Sequence, residues 1–223
     1  MPKIIFVRHG QAQFGQANYD KLSEVGHEQA VALGKAVFEQ GITVDRWVRG
    51  DMVRHAETLS GVSQGMRTQV IDLIVTPDLK EYDFTGLLDA RFANGKAPAG
   101  LHTDRKIHFR LLRETLALWQ NDEISNPPEP WAAFETRLLR AQQTIVGLEG
   151  DTILVVSSGG VISKIVANAL GVSHAKQVDL QLQIKNASMS TFIYSRRTGG
   201  IFLNAFNETP FVSAKTQHLL TYS

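Results

Sequence analysis

The chain has 223 residues, of which 43% are hydrophobic and 20% are charged, so it carries enough apolar side chains for a buried core and too little charge for a disordered polymer. The 23 Lys and Arg residues against 22 Asp and Glu residues give a net charge of +1, which offers no basic footprint for nucleic acid or an anionic membrane. The absence of cysteine excludes disulfides, thiolate metal sites and a cysteine nucleophile. Catalysis would therefore rely on His, Asp, Glu, Ser, Arg or Lys.

The length fits one domain over residues 1–223 better than two independent halves. At the N-terminus, the apolar run Ile4 to Val7 ends at Arg8. This run is too short for the core of a signal peptide or for a membrane span, and no later apolar run is long enough either. We therefore expect a cytoplasmic protein without a membrane partner.

The first half of the chain alternates between strand and helix patterns. Ile4 to Val7 is a mostly β-branched run, typical of a strand buried on both faces. Leu22 to Gln40 has apolar residues at helical spacing, with Ser23 as a candidate N-cap and Gly41 as its stop. Three further elements are predicted: a strand over Val44 to Val48, a helix beginning near Asp51 and an apolar strand from Val70 to Val75.

The regular pattern breaks down between Thr85 and Pro130, and we interpret residues 85–130 as a cap-like insertion over the sheet. The remaining pattern predicts a helix over Trp131 to Leu148, a strand over Thr152 to Val156, a turn over 157–160, a helix over Val161 to Leu170, and a β-hairpin formed by Ser188 to Tyr194 and Ile201 to Phe206. The alternation of strands and helices favours an α/β fold with a mostly parallel sheet.

Three motifs follow predicted strands: Arg8-His9-Gly10 the first, Arg54-x-x-x-Thr58 the second and Glu81 the third. The carboxyl ends of parallel strands share one edge, where open α/β sheets expose their ligand sites, so these motifs should meet there. Each also has a plainer interpretation: His9 in a solvent-facing loop, Arg54 as a surface cation paired with Glu57 or Asp51, and Glu81 in an ordinary solvated loop.

Together with later segments, these motifs resemble the histidine phosphatase superfamily, also called the phosphoglycerate mutase-like fold, along nearly the whole chain. The matching pieces occur in the order of the family: residues 6–10, Leu22-Ser23-x-x-Gly26, residues 54–58, Leu79-x-Glu81, residues 155–162, Asn186-Ala187-Ser188 and Asn204. The resemblance implies a three-layer α/β/α sandwich.

A phosphate monoester is dianionic and hydrolyses very slowly, so catalysis needs clustered positive donors and a well-aimed nucleophile. The resemblance implies that a neutral His9 attacks phosphorus to form a phosphohistidine, while Arg8 and Arg54 hold the phosphoryl oxygens. The two guanidinium charges would also disfavour protonation of His9 and keep it nucleophilic.

Glu81 takes the family's position for the acid that protonates the leaving oxygen and then activates water, although Asp83 could do the same work. Donating a proton near neutrality requires a raised pKa, which burial beside a dianion would provide. The glycine that the family has four residues after this Glu is Thr85 here, with Gly86 one residue later, so a different local geometry is expected.

The largest departure from the family is Ser158, where most members have a second histidine. The backbone N–H groups of Gly159 and Gly160 still open a helix and favour an anion, and the Ser158 hydroxyl can donate one hydrogen bond. Loss of one donor of this kind costs about a hundredfold to a thousandfold in rate, part of which a serine should recover. The resemblance thus allows either a weakened phosphatase or an inactive one.

Other histidines are candidates to fill this gap. His55 follows Arg54, but adjacent residues on a helix point about 100° apart, so both cannot easily aim at one phosphate. His102 and His108 lie in the insertion and could reach over the site, whereas His27, His174 and His218 are interpreted as structural or surface residues.

The segment after the first motif also departs from the family, at Phe14-Gly15-Gln16. It resembles a branch of the family with similar Gln-Ala-x-Phe-Gly and Tyr-Asp-x-Leu-Ser patterns, in which Ser158 would be native.

The resemblance therefore implies a metal-independent phosphatase that hydrolyses a small phosphomonoester through His9 and Glu81, with Arg8, Arg54, Ser158 and Gly159 binding phosphate. No cofactor, metal or nucleic-acid partner is expected, since neither metal-ligand spacing nor a P-loop occurs. The alternative is a catalytically silent protein of the same fold that binds a phosphate ligand or regulates a partner.

A mutase is disfavoured. The mutase branch usually has a tryptophan and an asparagine after Arg-His-Gly and an arginine-rich stretch, and this sequence has neither feature. Trp47, Trp119 and Trp131 are predicted to lie in the core.

Overall fold

The computed structural model describes residues 2–13, 20–95, 97–101, 104–195 and 197–222, without the side chains of residues 105, 106, 108 and 109. Six strands form one sheet in the order β3-β2-β4-β1-β5-β6. The strands are β1 (Lys3–Arg8), β2 (Arg46–Gly50), β3 (Ile74–Thr76), β4 (Thr152–Ser157), β5 (Met189–Tyr194) and β6 (Ile201–Glu208). The helices are α1 (Glu24–Glu39), α2 (Val53–Gly65), α3 (Phe84–Phe92), α4 (Arg105–Gln120), α5 (Trp131–Val146), α6 (Gly159–Leu170) and α7 (His174–Gln183).

The sheet is mostly parallel. Strands β1, β2, β3 and β4 pair in parallel with one another, while β5 runs antiparallel to β1 and β6 antiparallel to β5. Alternate residues of β1 enter two different cores, because successive side chains on a strand point to opposite faces. Ile4 and Phe6 pack with the side of the sheet covered by α4, α5 and α6, whereas Ile5 and Val7 pack with the side covered by α1 and α2. The predicted three-layer α/β/α arrangement is confirmed.

Most predicted elements are confirmed, with shifted boundaries. Helix α1 begins after Ser23, whose side chain accepts a hydrogen bond from the Gly26 N–H as an N-cap does. The predicted strand over Val70 to Val75 is wrong in its first half, since Asp72 has a left-handed φ of 53° and Ile71 is 65% exposed. Helix α6 begins at Gly159, so the paired glycines lie inside the helix rather than in a turn before it. Helix α7 was not predicted at all.

The segment predicted as an insertion contains α3 and α4. Leu88, Leu101 and Leu111 form a small apolar cluster of their own, but Leu116 and Trp119 of α4 extend into the larger core against α5. The three tryptophans are buried, as predicted. Across the described residues, no helix has the length and apolarity needed to cross a membrane.

The fold places its ligand edge at the junction of β1 and β4. These strands are neighbours in the middle of the sheet, and Arg8 at the end of β1 is paired in register with Ser157 at the end of β4. The chain leaves β1 towards α1 on one face and leaves β4 towards α6 on the other. Connections that diverge in this way open a crevice at the carboxyl ends of the two strands, which is where α/β sheets bind ligands.

Candidate active site

Residues 8–10 are fixed at the end of β1 by backbone contacts from three directions. The His9 N–H donates to the Ser157 carbonyl at 2.9 Å, and the Gly10 N–H donates to the Thr58 hydroxyl on α2 at 3.0 Å. Gly10 lies so close to α1 that a Cβ would come within 2.4 Å of the Gly26 carbonyl oxygen, so only glycine fits there. The chain can therefore turn sharply after His9 and hold that side chain in place.

The His9 imidazole is buried, with 6% of its surface exposed, so the solvent-facing interpretation is wrong. Its Nδ1 lies 2.7 Å from the Gly10 carbonyl oxygen. Because a carbonyl can only accept, Nδ1 carries the proton and Nε2 of the neutral ring keeps a lone pair. Burial lowers the pKa of His9 well below its usual value, and the charges of Arg54 and Arg8 lower it further. The ring is therefore in the neutral form that nucleophilic attack requires.

Arg54 is buried at the start of α2, and its Nη1 donates to Asp20 Oδ1 at 2.9 Å. The alternative of a surface cation is therefore wrong. Asp20 also accepts a hydrogen bond from the Val53 N–H at 2.9 Å through its other oxygen, which ties the carboxylate to the first turn of the helix. Arg8 is oriented separately, because its Nη1 donates to the Ile184 carbonyl.

Glu81 and Asp83 have different surroundings, which separates their roles. Glu81 Oε2 accepts a hydrogen bond from the Gly160 N–H at 2.9 Å, so this carboxyl lies at the first turn of α6. Burial raises the pKa of Glu81, although the Gly160 N–H, Arg54 and Arg8 act in the opposite direction. Asp83 is exposed and caps α3 by accepting from the Gly86 N–H. The geometry thus places Glu81, and not Asp83, at the start of α6 beside the two arginines.

The loop that carries Glu81 is anchored from two sides. The Ser157 hydroxyl donates to the Leu79 carbonyl at 2.7 Å, which ties the loop to the end of β4. The buried Arg137 on α5 donates through Nη1 to the carbonyls of Asp78 and Lys80, each at 2.8 Å. Its guanidinium is in turn held by Glu129, 2.7 Å away. Sequence analysis missed this anchor, because nothing in the local pattern links α5 to residues 78–80.

Ser158 is the N-cap residue of α6, yet its side chain makes no capping hydrogen bond. Its Oγ lies instead 2.8 Å from Nε2 of His55, and both side chains are fully buried. The Ile162 N–H donates to the Ser158 carbonyl at 3.0 Å and closes the first turn, whereas the N–H groups of Gly159, Gly160 and Val161 precede the first intrahelical hydrogen bond, and that of Gly160 donates to Glu81. The start of α6 therefore offers backbone donors and a positive dipole end to an anion.

The structure brings all six predicted site residues to one edge of the sheet. Arg8 and Arg54 both lie close enough to His9 and Glu81 to influence their pKa values, and a Cβ on Gly159 would lie 3.5 Å from Arg8 Nε. The Nε2 of His55 contacts Ser158, a contact that the sequence analysis missed. That contact joins the starts of α2 and α6, which follow the neighbouring strands β2 and β4.

The remaining histidines contribute nothing to this pocket in the described part of the molecule. The side chains of His27, His174 and His218 are about half exposed, as predicted. His102, the side chain of His108 and Phe14-Gly15-Gln16 lie outside the described residues. Among the side chains that are described, no group of three or more His, Asp or Glu residues is arranged to hold a metal ion.

Comparison with known proteins agrees with this geometry. Residues 4–209 match the model of the histidine phosphatase superfamily, branch 1. A 2,3-bisphosphoglycerate-dependent phosphoglycerate mutase of Bartonella henselae is 21% identical over 170 residues, which cover 67% of this chain and 77% of the mutase.

Two solved structures share the fold. Mycobacterial glucosyl-3-phosphoglycerate phosphatase in complex with inorganic phosphate is 22% identical and has a TM-score of 0.68 over 96% of this chain and 100% of that chain. Phosphoserine phosphatase of Entamoeba histolytica is 20% identical and has a TM-score of 0.64 over the same shares of the two chains. The family match spans most of the chain and includes the described pocket: this protein belongs to the histidine phosphatase superfamily, branch 1.

Proposed function

We propose that the protein is a phosphatase that hydrolyses a small phosphomonoester through a phosphohistidine formed on His9. The observation that carries this proposal is the state of His9: its Nδ1–H is bound to the Gly10 carbonyl, and the ring is kept neutral beside two arginines. An imidazole held in this way has one free lone pair, on Nε2, in a pocket whose positive charge attracts a dianion. Membership of the superfamily supports the same chemistry.

In the first step, the phosphoryl group binds between Arg8, Arg54 and the start of α6. His9 Nε2 attacks phosphorus, and the bond between phosphorus and the leaving oxygen breaks. Glu81 donates its proton to that oxygen, because its raised pKa keeps it protonated to a higher pH than an exposed carboxyl. The phosphorylated ring gains positive character, which the hydrogen bond from Nδ1–H to the Gly10 carbonyl stabilises.

In the second step, the Glu81 carboxylate takes a proton from water as the water oxygen attacks phosphorus. The bond between phosphorus and Nε2 then breaks, and inorganic phosphate and neutral His9 are released. Two positive side chains and preorganised backbone donors stabilise the charge on the phosphoryl oxygens in both steps, so protein groups alone supply the required stabilisation.

The test compares wild-type protein with His9→Ala, using 4-nitrophenyl phosphate in a buffer that contains a chelator. His27→Ala serves as the matched control, because His27 is a half-exposed histidine on α1. We expect release of inorganic phosphate by the wild type and by His27→Ala, and loss of about 1,000-fold or more in His9→Ala. Rapid quenching should also trap an acid-labile, alkali-stable phosphoprotein that is missing from His9→Ala.

Equal background rates in all three proteins, across a panel of aryl and alkyl phosphates, would overturn the phosphatase proposal and favour a silent phosphate-binding protein. Transfer of the phosphoryl group back to an organic product, with no release of inorganic phosphate, would instead indicate a mutase.

A further inference from the structure

The contact between His55 and Ser158 is not used in the mechanism above. His55 Nε2 lies 2.8 Å from Ser158 Oγ, and the centroid of its ring is 5.9 Å from that of His9. A second imidazole is thus buried behind the pocket and touches one of the groups that face it. The inference that follows rests on the proposed function, since it concerns how the same pocket holds a phosphoryl group.

The His55 ring is fixed in place by the backbone of β2. A Cβ at Gly50 would come within 2.3 Å of His55 Nδ1, so the strand must have glycine there to admit the ring. Burial, with the charges of Arg54 and Arg49, lowers the pKa of His55 to about 3. His55 is therefore neutral at physiological pH and carries a single N–H.

The surroundings of His55 indicate which nitrogen holds that proton. Nδ1 lies close to the Gly50 backbone, whose carbonyl acts to raise the pKa of the ring, but among the described residues it has no partner aligned for a hydrogen bond. A buried N–H group left without an acceptor is rarer in proteins than an under-satisfied acceptor. A proton on Nε2 avoids this cost, because Nε2–H can donate to Ser158 Oγ.

The direction of this hydrogen bond decides what Ser158 offers to a ligand. A hydroxyl has one hydrogen and two lone pairs. If Ser158 donated to His55, it would present only lone pairs to a phosphate dianion and would repel it. If Ser158 accepts from His55, its hydrogen is available to the pocket, and the chain of two hydrogen bonds polarises the hydroxyl. The Ser158 hydroxyl oxygen also accepts no capping hydrogen bond from its own helix, so its lone pairs are available to His55 Nε2–H.

We propose that His55 is a positioning residue: its Nε2–H donates to Ser158 Oγ and thereby commits the Ser158 hydroxyl hydrogen to a phosphoryl oxygen of the substrate. His55 at the start of α2 and Ser158 at the start of α6 together provide one hydrogen-bond donor whose hydrogen points into the pocket. In this arrangement, the imidazole of His55 does not touch the substrate.

A double-mutant cycle tests whether His55 acts through Ser158. The variants are Ser158→Ala, His55→Leu and the double variant, with His55→Gln as the conservative change whose amide N–H can replace Nε2–H. We expect kcat/KM to fall about 100-fold in each single variant and by about the same factor, not its square, in the double variant. His55→Gln should stay within about threefold of wild type, since the donated hydrogen bond is kept.

A merely structural role for His55 would give a different pattern. Loss of packing in His55→Leu would add to the effect of Ser158→Ala, and His55→Gln would not restore the rate. Either result overturns the inference. If His55→Leu does not fold, Ser158→Ala and His55→Gln still test the donor, and the tautomer can be read in the wild type.

The tautomer of His55 in wild-type protein provides an independent readout. Nitrogen NMR distinguishes Nε2–H from Nδ1–H in a neutral ring, and we expect the Nε2–H form both without ligand and with bound orthovanadate. Observation of the Nδ1–H form in the vanadate complex would overturn the inference.

Binding of orthovanadate, measured by calorimetry, separates failure of this inference from failure of the proposed function. We expect weaker binding by Ser158→Ala and His55→Leu than by wild type, and near wild-type binding by His55→Gln. Turnover that depends on His9 but is unaffected by His55→Leu would overturn the inference and leave the phosphatase standing. Absence of both turnover and vanadate binding in wild type would overturn both.

Discussion

Asp20 Oδ1 accepts a hydrogen bond from Arg54 Nη1 at 2.9 Å, and Asp20 Oδ2 accepts one from the Val53 N–H at the same distance. A single carboxylate thus holds both the guanidinium and the first turn of the helix that carries it. Arg54 is buried, and the Asp20 carboxylate compensates part of its charge. Asp20 is therefore part of the electrostatics of the pocket, although it carries the wrong sign to bind phosphate itself.

Asp20→Asn should weaken the protein more without phosphate than with it. The neutral amide removes the charge that Asp20 places beside the buried Arg54, and we expect a loss of about 1 kcal/mol in the free energy of unfolding. Added inorganic phosphate should restore part of this loss, because the anion itself pairs with Arg54. Thermal unfolding with and without phosphate measures both effects.

Asp51→Asn is the matched control, since Asp51 is exposed and lies just before α2. It makes the same change in net charge close to the pocket. An equal response of the two variants to phosphate would show that the effect comes from net charge alone and would contradict the assigned role of Asp20.

Arg137 should control the rate through the position of Glu81. Arg137→Met removes the two hydrogen bonds to the carbonyls of Asp78 and Lys80 and leaves the Glu129 carboxylate without its partner. Breaking a buried ion pair from one side costs about 3 kcal/mol or more, so we expect a clear fall in the free energy of unfolding. We also expect kcat/KM to fall more for an alkyl phosphate than for 4-nitrophenyl phosphate, because the better leaving group needs less help from Glu81.

Arg140→Met provides the comparison for that prediction. Arg140 lies on the same helix and pairs with the Asp78 side chain, but its own side chain is 59% exposed. Surface ion pairs contribute little, so both stability and rate should stay near wild type. Equal effects of Arg137→Met and Arg140→Met would show that the backbone anchor at residues 78–80 is unimportant.

The sequence predicted well the parts of the fold that depend on local pattern. The sequence analysis predicted strand β1, helix α1 with its Ser23 cap, and the hairpin of β5 and β6. These elements could be predicted because the spacing of apolar residues and the identity of the capping residue are visible within a short stretch of sequence. Helix α7 was missed because few of its residues are buried; it is held by contacts with the preceding helix α6 and with α4, which lies far away in the chain. Tertiary contacts of this kind override local propensity.

In the candidate site, too, the sequence predicted the positions of residues at strand ends but not their contacts with residues far away in the chain. The ends of the strands located Arg8, His9, Arg54 and Glu81 at one edge, since parallel strands present their carboxyl ends together. What could not be predicted is which partner each side chain meets: Asp20 for Arg54, and His55 for Ser158. These partners depend on distances of a few ångströms between separate helices, and no spacing along the chain encodes them.

The stability of the protein at low pH should depend on His55. Its pKa is lowered from 6.5 to about 3 in the folded state, so between these values the unfolded chain binds the proton and the folded chain does not. Stability is therefore fully present above pH 6.5 and should fall by about 1.4 kcal/mol for each pH unit towards pH 3 on account of this group.

His55→Gln should remove that part of the pH dependence. Denaturant unfolding between pH 7 and pH 4, about the range that His55 spans, should show a flatter curve for the variant than for wild type. His218→Gln is the control, since His218 is more than half exposed, and its curve should follow wild type. Parallel curves for wild type and His55→Gln would mean that His55 is protonated in the folded protein near its usual pKa.

Glu81→Gln should separate the two chemical steps. Without the proton donor, we expect kcat/KM to fall about 100-fold or more for an alkyl phosphate, and by less than about 10-fold for 4-nitrophenyl phosphate, whose leaving group needs little protonation. Hydrolysis of the phosphohistidine should also slow, because the base for water is gone, so 4-nitrophenol should appear in a burst and the phosphoprotein should accumulate.

The pH dependence of the wild type should agree with that assignment, and Asp83→Asn should leave both steps unchanged. Glu81 must be protonated in the first step, so kcat/KM for an alkyl phosphate should fall as the pH rises through its raised pKa, and this limb should vanish in Glu81→Gln. Asparagine at position 83 makes the same charge change and can still cap α3, which keeps the fold of the loop. A burst from Asp83→Asn, together with equal losses for both substrates in Glu81→Gln, would transfer the role of acid and base from Glu81 to Asp83.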